Sequence, residues 1–180
     1  MSYRPIADVW ILARSKVKFY GAYPAGFLHR ARALLGVGPY DPVLHVCAGK
    51  VRDYPYAGFG INDKTLDLDP ACEPDYLQDA RDPLPGCPYV DHMSGWNAIL
   101  IDRPYTEADA AHYAPGSNKL PDLNDLLKRS LQAVPIGHRV GILDYLWPHP
   151  GKFGKEVAVV AVGTGRNNRA RWFTVFERLT

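Results

Sequence analysis

A series of short apolar runs, each stopping on a polar or acidic residue, constrains this chain most. Residues 43–47 (VLHVC) run into Ala48 and Gly49, residues 65–69 (TLDLD) stop at Pro70, residues 97–102 (NAILID) end in acid before Pro104, and residues 139–145 (RVGILDY) follow suit. Each has the length of a strand, and a strand buried on both faces reads as a continuous apolar run. Helical spacing separates some of them. Residues 24–35 (PAGFLHRARALL) put Phe27, Leu28, Ala31, Leu34 and Leu35 on one face, with Pro24 in the first turn. Residues 123–134 (LNDLLKRSLQAV) have the same period, with Asp122 available as N-cap. The pattern predicts an α/β fold with a mainly parallel sheet flanked by helices. Ligands of such sheets bind beyond the carboxyl ends of the strands, so Cys47, Asp67, Asp69, Asp79 and Asp102 are expected to line one crevice.

The C-terminal part follows a different rule. Residues 156–162 (EVAVVAV) and 171–177 (RWFTVFE) are strand-like, and the stretch between them is too short for a parallel crossover, which takes about a dozen residues or more. They must form an antiparallel hairpin. Residues 49–63 break the pattern in another way: a helix would ordinarily follow the first strand, but Pro55, Gly58, Gly60 and the neighbouring aromatics predict an irregular loop.

With 180 residues and 47% hydrophobic content, the chain suits a single domain spanning residues 1–180. Its net charge of +2 supplies no general attraction for polyanions, so any nucleic-acid contact must come from a local basic patch. Cys47, Cys72 and Cys87 are too few and too scattered for a disulfide framework. The apolar run from Ala7 to Ala13 is too short to span a bilayer, and a soluble cytoplasmic protein with no membrane partner is expected. Other chemistries lack their residues. Ala48-Gly49-Lys50 lacks the rest of a phosphate-binding loop, Gly163-Thr164-Gly165 does not precede a helix, and Cys72, Cys87 and His92 lack a metal-ligand spacing, so no metal is expected. The remaining histidines stand outside any triad context.

Residues 101–105 (IDRPY) at a strand end are the sharpest local feature. Here the chain resembles the amino-methyltransferases of DNA, whose signature in that place is Asp or Asn, Pro, Pro, then an aromatic. The resemblance extends, in order, to residues 20–27 (YGAYPAGF), 43–49, 65–70, 79–85 (DARDPLP) and the closing hairpin. It implies a Rossmann-like methyltransferase fold, S-adenosylmethionine as cofactor, and an exocyclic amino group of a nucleic-acid base as methyl acceptor, adenine N6 ahead of cytosine N4 and DNA ahead of RNA. Asp102 and the backbone carbonyl of Arg103 would accept the two amino hydrogens, with Pro104 shaping the turn. Tyr105 would stack on a base flipped from its duplex. For the cofactor the resemblance implies Cys47, Ala48 and Gly49 beside its methionine part, Asp67 on the ribose hydroxyls and Asp79 on the adenine amino group. Tyr23, Pro24 and Phe27 would close the site. Core packing is the other reading of Tyr23 and Phe27. At the hairpin tip Arg166, Arg169 and Arg171 would hold phosphates while Trp172 offers a stacking surface.

The chain departs from the family pattern at three points. Arg103 replaces a proline, and a guanidinium facing a sulfonium would be repelled, so its side chain is expected to turn away or toward phosphate. His45 replaces the usual acid of the first strand, and the glycine-rich turn is reduced to Gly49. No length is left for a separate target-recognition domain, which implies a specificity subunit, a homodimer or a substrate other than ordinary duplex DNA. Two rival readings stay open: a non-catalytic binding module on a degenerate methyltransferase fold, and methylation of RNA or a small molecule.

Overall fold

The computed structural model describes residues 4–15, 17, 22–89, 95–113, 120–164 and 170–180. Along the chain run β1 (Ile6–Leu12), α1 (Phe27–Leu35), β2 (Val43–Val46), β3 (Lys64–Asp67), β4 (Tyr76–Leu77), β5 (Ala98–Ile101), α2 (Glu107–Tyr113), α3 (Leu123–Ala133), β6 (Arg139–Asp144), β7 (Gly154–Thr164) and β8 (Arg171–Arg178). The strands among the described residues form one eight-stranded sheet in the order β1-β7-β8-β6-β5-β2-β3-β4. β8 is antiparallel to both β6 and β7, and every other pairing is parallel. The mainly parallel sheet with a closing hairpin is the expected one.

Every residue of β2 and β5 is buried, which is why these strands read as apolar runs, interrupted only by His45. One face of the sheet is covered by α1, whose Phe27, Leu28, Ala31 and Leu35 join Trp10, Leu100, Val160, Phe173 and Val175 in a common core. On the other face Leu123, Leu126, Leu127 and Leu131 of α3 pack on Ile99, Ile101, Val140, Ile142 and Phe176. The Asp122 side chain caps α3 by accepting from the Asp125 amide at 2.9 Å. α1 starts at Phe27, later than its periodicity predicts, because Gly26 at the N-cap takes a left-handed φ of +81°.

The β2–β3 connection contains a single 3-10 turn, Val51–Asp53, and no α-helix. Asp63 holds this loop down from its far end. Its carboxylate accepts from Arg32 of α1 at 2.9 and 2.7 Å, from the Gly60 amide at 2.7 Å and from the Val43 amide at 3.2 Å, and it lies 2.9 Å from His45 Nε2. His45 is therefore a structural partner of Asp63 inside the sheet. Gly58 brings the loop onto α1 with φ +128°, and a Cβ there would stand 2.6 Å from both the His29 nitrogen and Leu28 Cβ. Replacing Gly58 with alanine is expected to cost about 1–3 kcal/mol from this overlap, read from the midpoint of urea unfolding. An unchanged midpoint would show that the loop is not seated against α1.

Two elements were not expected from the sequence. β1 pairs in parallel with β7 along its whole length. Its Trp10 and Leu12 face the core while Val9 and Ile11 are 64% and 73% exposed on the outer face, so apolar residues occupy both faces and no alternation marks a strand. α2 begins at a reciprocal cap. The Thr106 hydroxyl accepts from the Asp109 amide at 3.1 Å, and the Asp109 carboxylate accepts from the Thr106 amide at 3.1 Å. Among the described residues no helix is long and apolar enough to cross a membrane.

Candidate active site

The carboxyl ends of β2, β3, β5 and β6 meet along one edge of the sheet, and each delivers a polar group there. After β2 the chain turns sharply, with φ +56° at Cys47 and +52° at Gly49. The turn is fastened to β3 by Asp67, whose two oxygens accept from the Gly49 amide at 2.7 Å and the Asp69 amide at 2.9 Å. Asp67 is 7% exposed. Burial pushes its carboxyl above the usual range, against the pull of those amides. A carboxylate offers about four lone-pair positions, so these amides leave capacity for a ligand. Cys47 is driven far above the ordinary thiol range by burial and by the carboxylates of Asp67 and Asp102. It stays protonated and is no nucleophile at neutral pH.

Asp102 follows β5, its amide donating to the Val46 carbonyl at 3.2 Å. The Tyr105 hydroxyl donates to Asp102 Oδ1, and Arg171 Nη1 of β8 donates to the Tyr105 hydroxyl at 3.0 Å. Burial lifts the Asp102 carboxyl to about 6, with Arg171 and Tyr105 pulling it down and Asp144 pushing it up. The Tyr105 ring meets Tyr145 edge-on at 4.6 Å. Arg103 is 4% exposed and runs to Asp144 at the end of β6, Nε lying 2.9 Å from Oδ2 as an ion pair whose angle falls outside a hydrogen bond. Beside Arg103 a groove of about 490 Å³ opens between residues 120–124 and residues 146–148.

The remaining residues singled out in the sequence divide. Tyr23 is buried and stacked on Phe27 at 4.9 Å, and its hydroxyl has no hydrogen-bond partner among the described residues. Charge on that hydroxyl would be opposed by Asp102, Tyr54, Tyr105 and Cys47. Pro24 is buried, its carbonyl accepting from the Phe27 amide at 3.1 Å. Phe27 is fully buried between Trp10, 6.3 Å away, and Phe173, 5.0 Å away, and so packs the core. Asp79 follows β4 and is gripped by its near neighbour Arg81, with Nη2 at 2.6 Å and Nε at 3.0 Å, which holds its carboxyl below the usual range. Arg166 and Arg169 lie outside the described residues.

Arg171 and Trp172 are adjacent in a strand and therefore point to opposite faces. Trp172 packs against Trp147 at 5.4 Å on the α3 side, while Arg171 reaches Tyr105. The two do not form the joint phosphate-and-stacking surface read from the sequence. Asp144, Tyr145 and the inward turn of Arg171 are additions. Asp144 ends a strand just as Asp67 and Asp102 do, and that pattern was the signal for it.

No protein-family model and no curated protein matches the sequence. Solved structures do match by shape. TrmN from Thermus thermophilus is 18% identical with a TM-score of 0.53, over 84% of this chain and 48% of that one. The N-methyltransferase NodS from Bradyrhizobium japonicum WM9 is 9% identical with a TM-score of 0.54, over 85% and 94%. This is the Rossmann-like methyltransferase fold. An rRNA methylase from Streptococcus thermophilus is 12% identical with a TM-score of 0.50, over 88% and 100%. The chain spans about half the length of the Thermus thermophilus structure.

Proposed function

We propose that this chain is a cytoplasmic, S-adenosylmethionine-dependent methyltransferase domain that acts on an exocyclic amino group of a nucleic-acid base, adenine N6 ahead of cytosine N4. The observation that carries this reading is the Asp102–Arg103–Pro104–Tyr105 turn at the end of β5, near enough to Cys47 of the Gly49 turn that Asp102 and Asp67 both raise its thiol. The residues present fit the cofactor. Asp67 keeps free lone pairs for ribose hydroxyls, the tight turn at Cys47 and Gly49 lets a ligand approach backbone, and the buried, unpartnered Tyr23 hydroxyl is a donor in want of an acceptor.

When bound, S-adenosylmethionine supplies an electrophilic methyl group on a sulfonium. The chain must do the rest. The lone pair of a base amino group is delocalised into the ring, so Asp102 Oδ2 and the Arg103 carbonyl accept its two hydrogens and favour a pyramidal nitrogen with its lone pair aimed along the attack line. Asp102, with a carboxyl near 6, is mostly ionised at neutral pH and is placed to take the proton that the nitrogen sheds. Arg103, neutralised by Asp144, keeps its charge from opposing the cationic donor. Tyr105 flanks the base, and the groove beside Arg103 leaves room for more of the acceptor.

DNA is the first reading, with specificity supplied by a partner subunit or a second copy. RNA is the second, favoured by the shape match to an rRNA methylase. The test is transfer of labelled methyl to single-stranded and duplex DNA and to RNA, followed by nucleoside analysis, with cofactor binding measured by calorimetry. N6-methyladenine in DNA is the expected product. Cofactor binding without transfer to any acceptor would make the protein a binding module, and absence of cofactor binding would overturn the proposal altogether.

A further inference from the structure

We propose that Arg171 is a positioning residue of the methyl-transfer site, which through the Tyr105 hydroxyl holds the Asp102 carboxylate charged and aimed at the acceptor nitrogen. This rests on the reading of Asp102 as the amine acceptor. The geometry is a relay across two elements. Arg171 Nη1 donates to the Tyr105 hydroxyl at 3.0 Å, that hydroxyl donates to Asp102 Oδ1, and the Arg171 guanidinium carbon lies 6.0 Å from the centre of the Tyr105 ring. Arg171 is half-buried, and its Nη1 is directed to Tyr105.

The charges around Asp102 make Arg171 decisive. From β6 comes Asp144, from the turn after β2 comes Cys47, and Tyr23 and Tyr54 approach from the α1 side. Cys47 and Tyr23 strongly disfavour ionisation, and burial pushes the Tyr54 hydroxyl well above its ordinary range. Arg103 is engaged by Asp144 at 2.9 Å. Two carboxylates thus face two guanidiniums, and Arg171 is the one that reaches Asp102. Without it no other cation among the described residues reaches Asp102, which stands beside Asp144, and protonation is favoured. A protonated Asp102 can no longer draw on both amine hydrogen and product proton. Tyr105 in turn stays a donor, because burial and the Asp102 charge hold its hydroxyl far above its ordinary range.

The experiment follows the Asp102 carboxyl by carbon-13 NMR across pH in the cofactor-free protein, its resonance assigned with Asp102→Asn. In wild type the midpoint is expected near 6. Arg171→Gln should raise it by about one pH unit or more, and Arg171→Lys should restore most of the difference. Tyr105→Phe, which cuts the relay and keeps the ring, should also raise it and serves if Arg171→Gln does not fold. The acid limb of kcat/KM should move with the midpoint, with kcat falling. A midpoint unmoved in these variants would overturn the proposal, as would a loss confined to KM with an unmoved acid limb, the signature of a phosphate contact. If wild type methylates no base, the functional reading fails on its own, and the NMR midpoints still decide whether Arg171 holds Asp102.

Discussion

Replacing Asp102 with alanine is expected to slow methyl transfer by roughly 10²–10³-fold while leaving cofactor affinity near wild type, because it removes one preorganised polar partner of the reacting nitrogen. Asp67, Gly49 and Tyr23 are untouched by the change, which separates acceptor from cofactor. Asp102→Asn keeps an acceptor oxygen and should retain more activity than alanine, while losing the acid limb. That limb should stand near pH 6 in wild type, with activity falling below it as Asp102 takes up a proton. The same group carries a stability signature of fixed sign. Its folded value of about 6 lies above the ordinary 3.8, so the folded chain binds the proton more tightly than the unfolded one. Asp102 therefore favours the fold as pH drops from about 6 and opposes it above, and in Asp102→Ala that dependence should vanish from thermal unfolding curves. Methyl transfer persisting in Asp102→Ala at near wild-type rate would remove Asp102 from the chemistry.

The largest loss of stability is expected from Asp63→Ala, by about 3–5 kcal/mol. The Asp63 side chain is wholly buried, and its removal strands the Arg32 guanidinium, 8% exposed, together with His45 and the Gly60 and Val43 amides. An uncompensated buried charge is far costlier than a lost surface pair. Burial alone would raise the Asp63 carboxyl. His45, the Gly60 amide and Arg32 outweigh it and hold the group below 3.8. A depressed carboxyl stabilises the fold above the unfolded value and ceases to as pH falls through the folded one, so the gap between wild type and Asp63→Ala should narrow in strong acid. Chemical denaturation at neutral pH and at pH 3 measures both. A neutral-pH loss under about 1 kcal/mol would mean that water replaces the carboxylate around Arg32.

Much of this architecture is legible in the sequence because its cause is local. Central parallel strands are buried on both faces, so Val43 to Val46 and Ala98 to Ile101 read as apolar runs, interrupted only by His45, and the stretch before Arg171 is too short for anything but a hairpin. Asp122 announces α3 by the chemistry of a cap. α2 was marked in the same way by Thr106 and Asp109, three residues apart, a signal weaker than an apolar period. What escapes is long-range. Asp63 is the partner of His45 from eighteen positions further along the chain, which no spacing rule foretells. Arg171 looked like a tip arginine by its neighbours in the chain, and the pleat of β8 turned it inward and Trp172 outward. Phe27 sits in a segment with a cofactor-like order, yet its ring is fully enclosed by Trp10, Tyr23 and Phe173.

The parallel pairing of β1 with β7 sets an order of assembly. Residue 6 meets residue 158 and residue 12 meets residue 164, so β1 can join the sheet only by pairing with a segment far along the chain. Closing so long a loop is a slow step with little local contact to offset it. Until β7 has paired with β8, Trp10 and Leu12 have no core to enter, and with Val9 and Ile11 they form a sticky ribbon on the nascent chain. Exposure of that ribbon before the hairpin closes favours aggregation during folding.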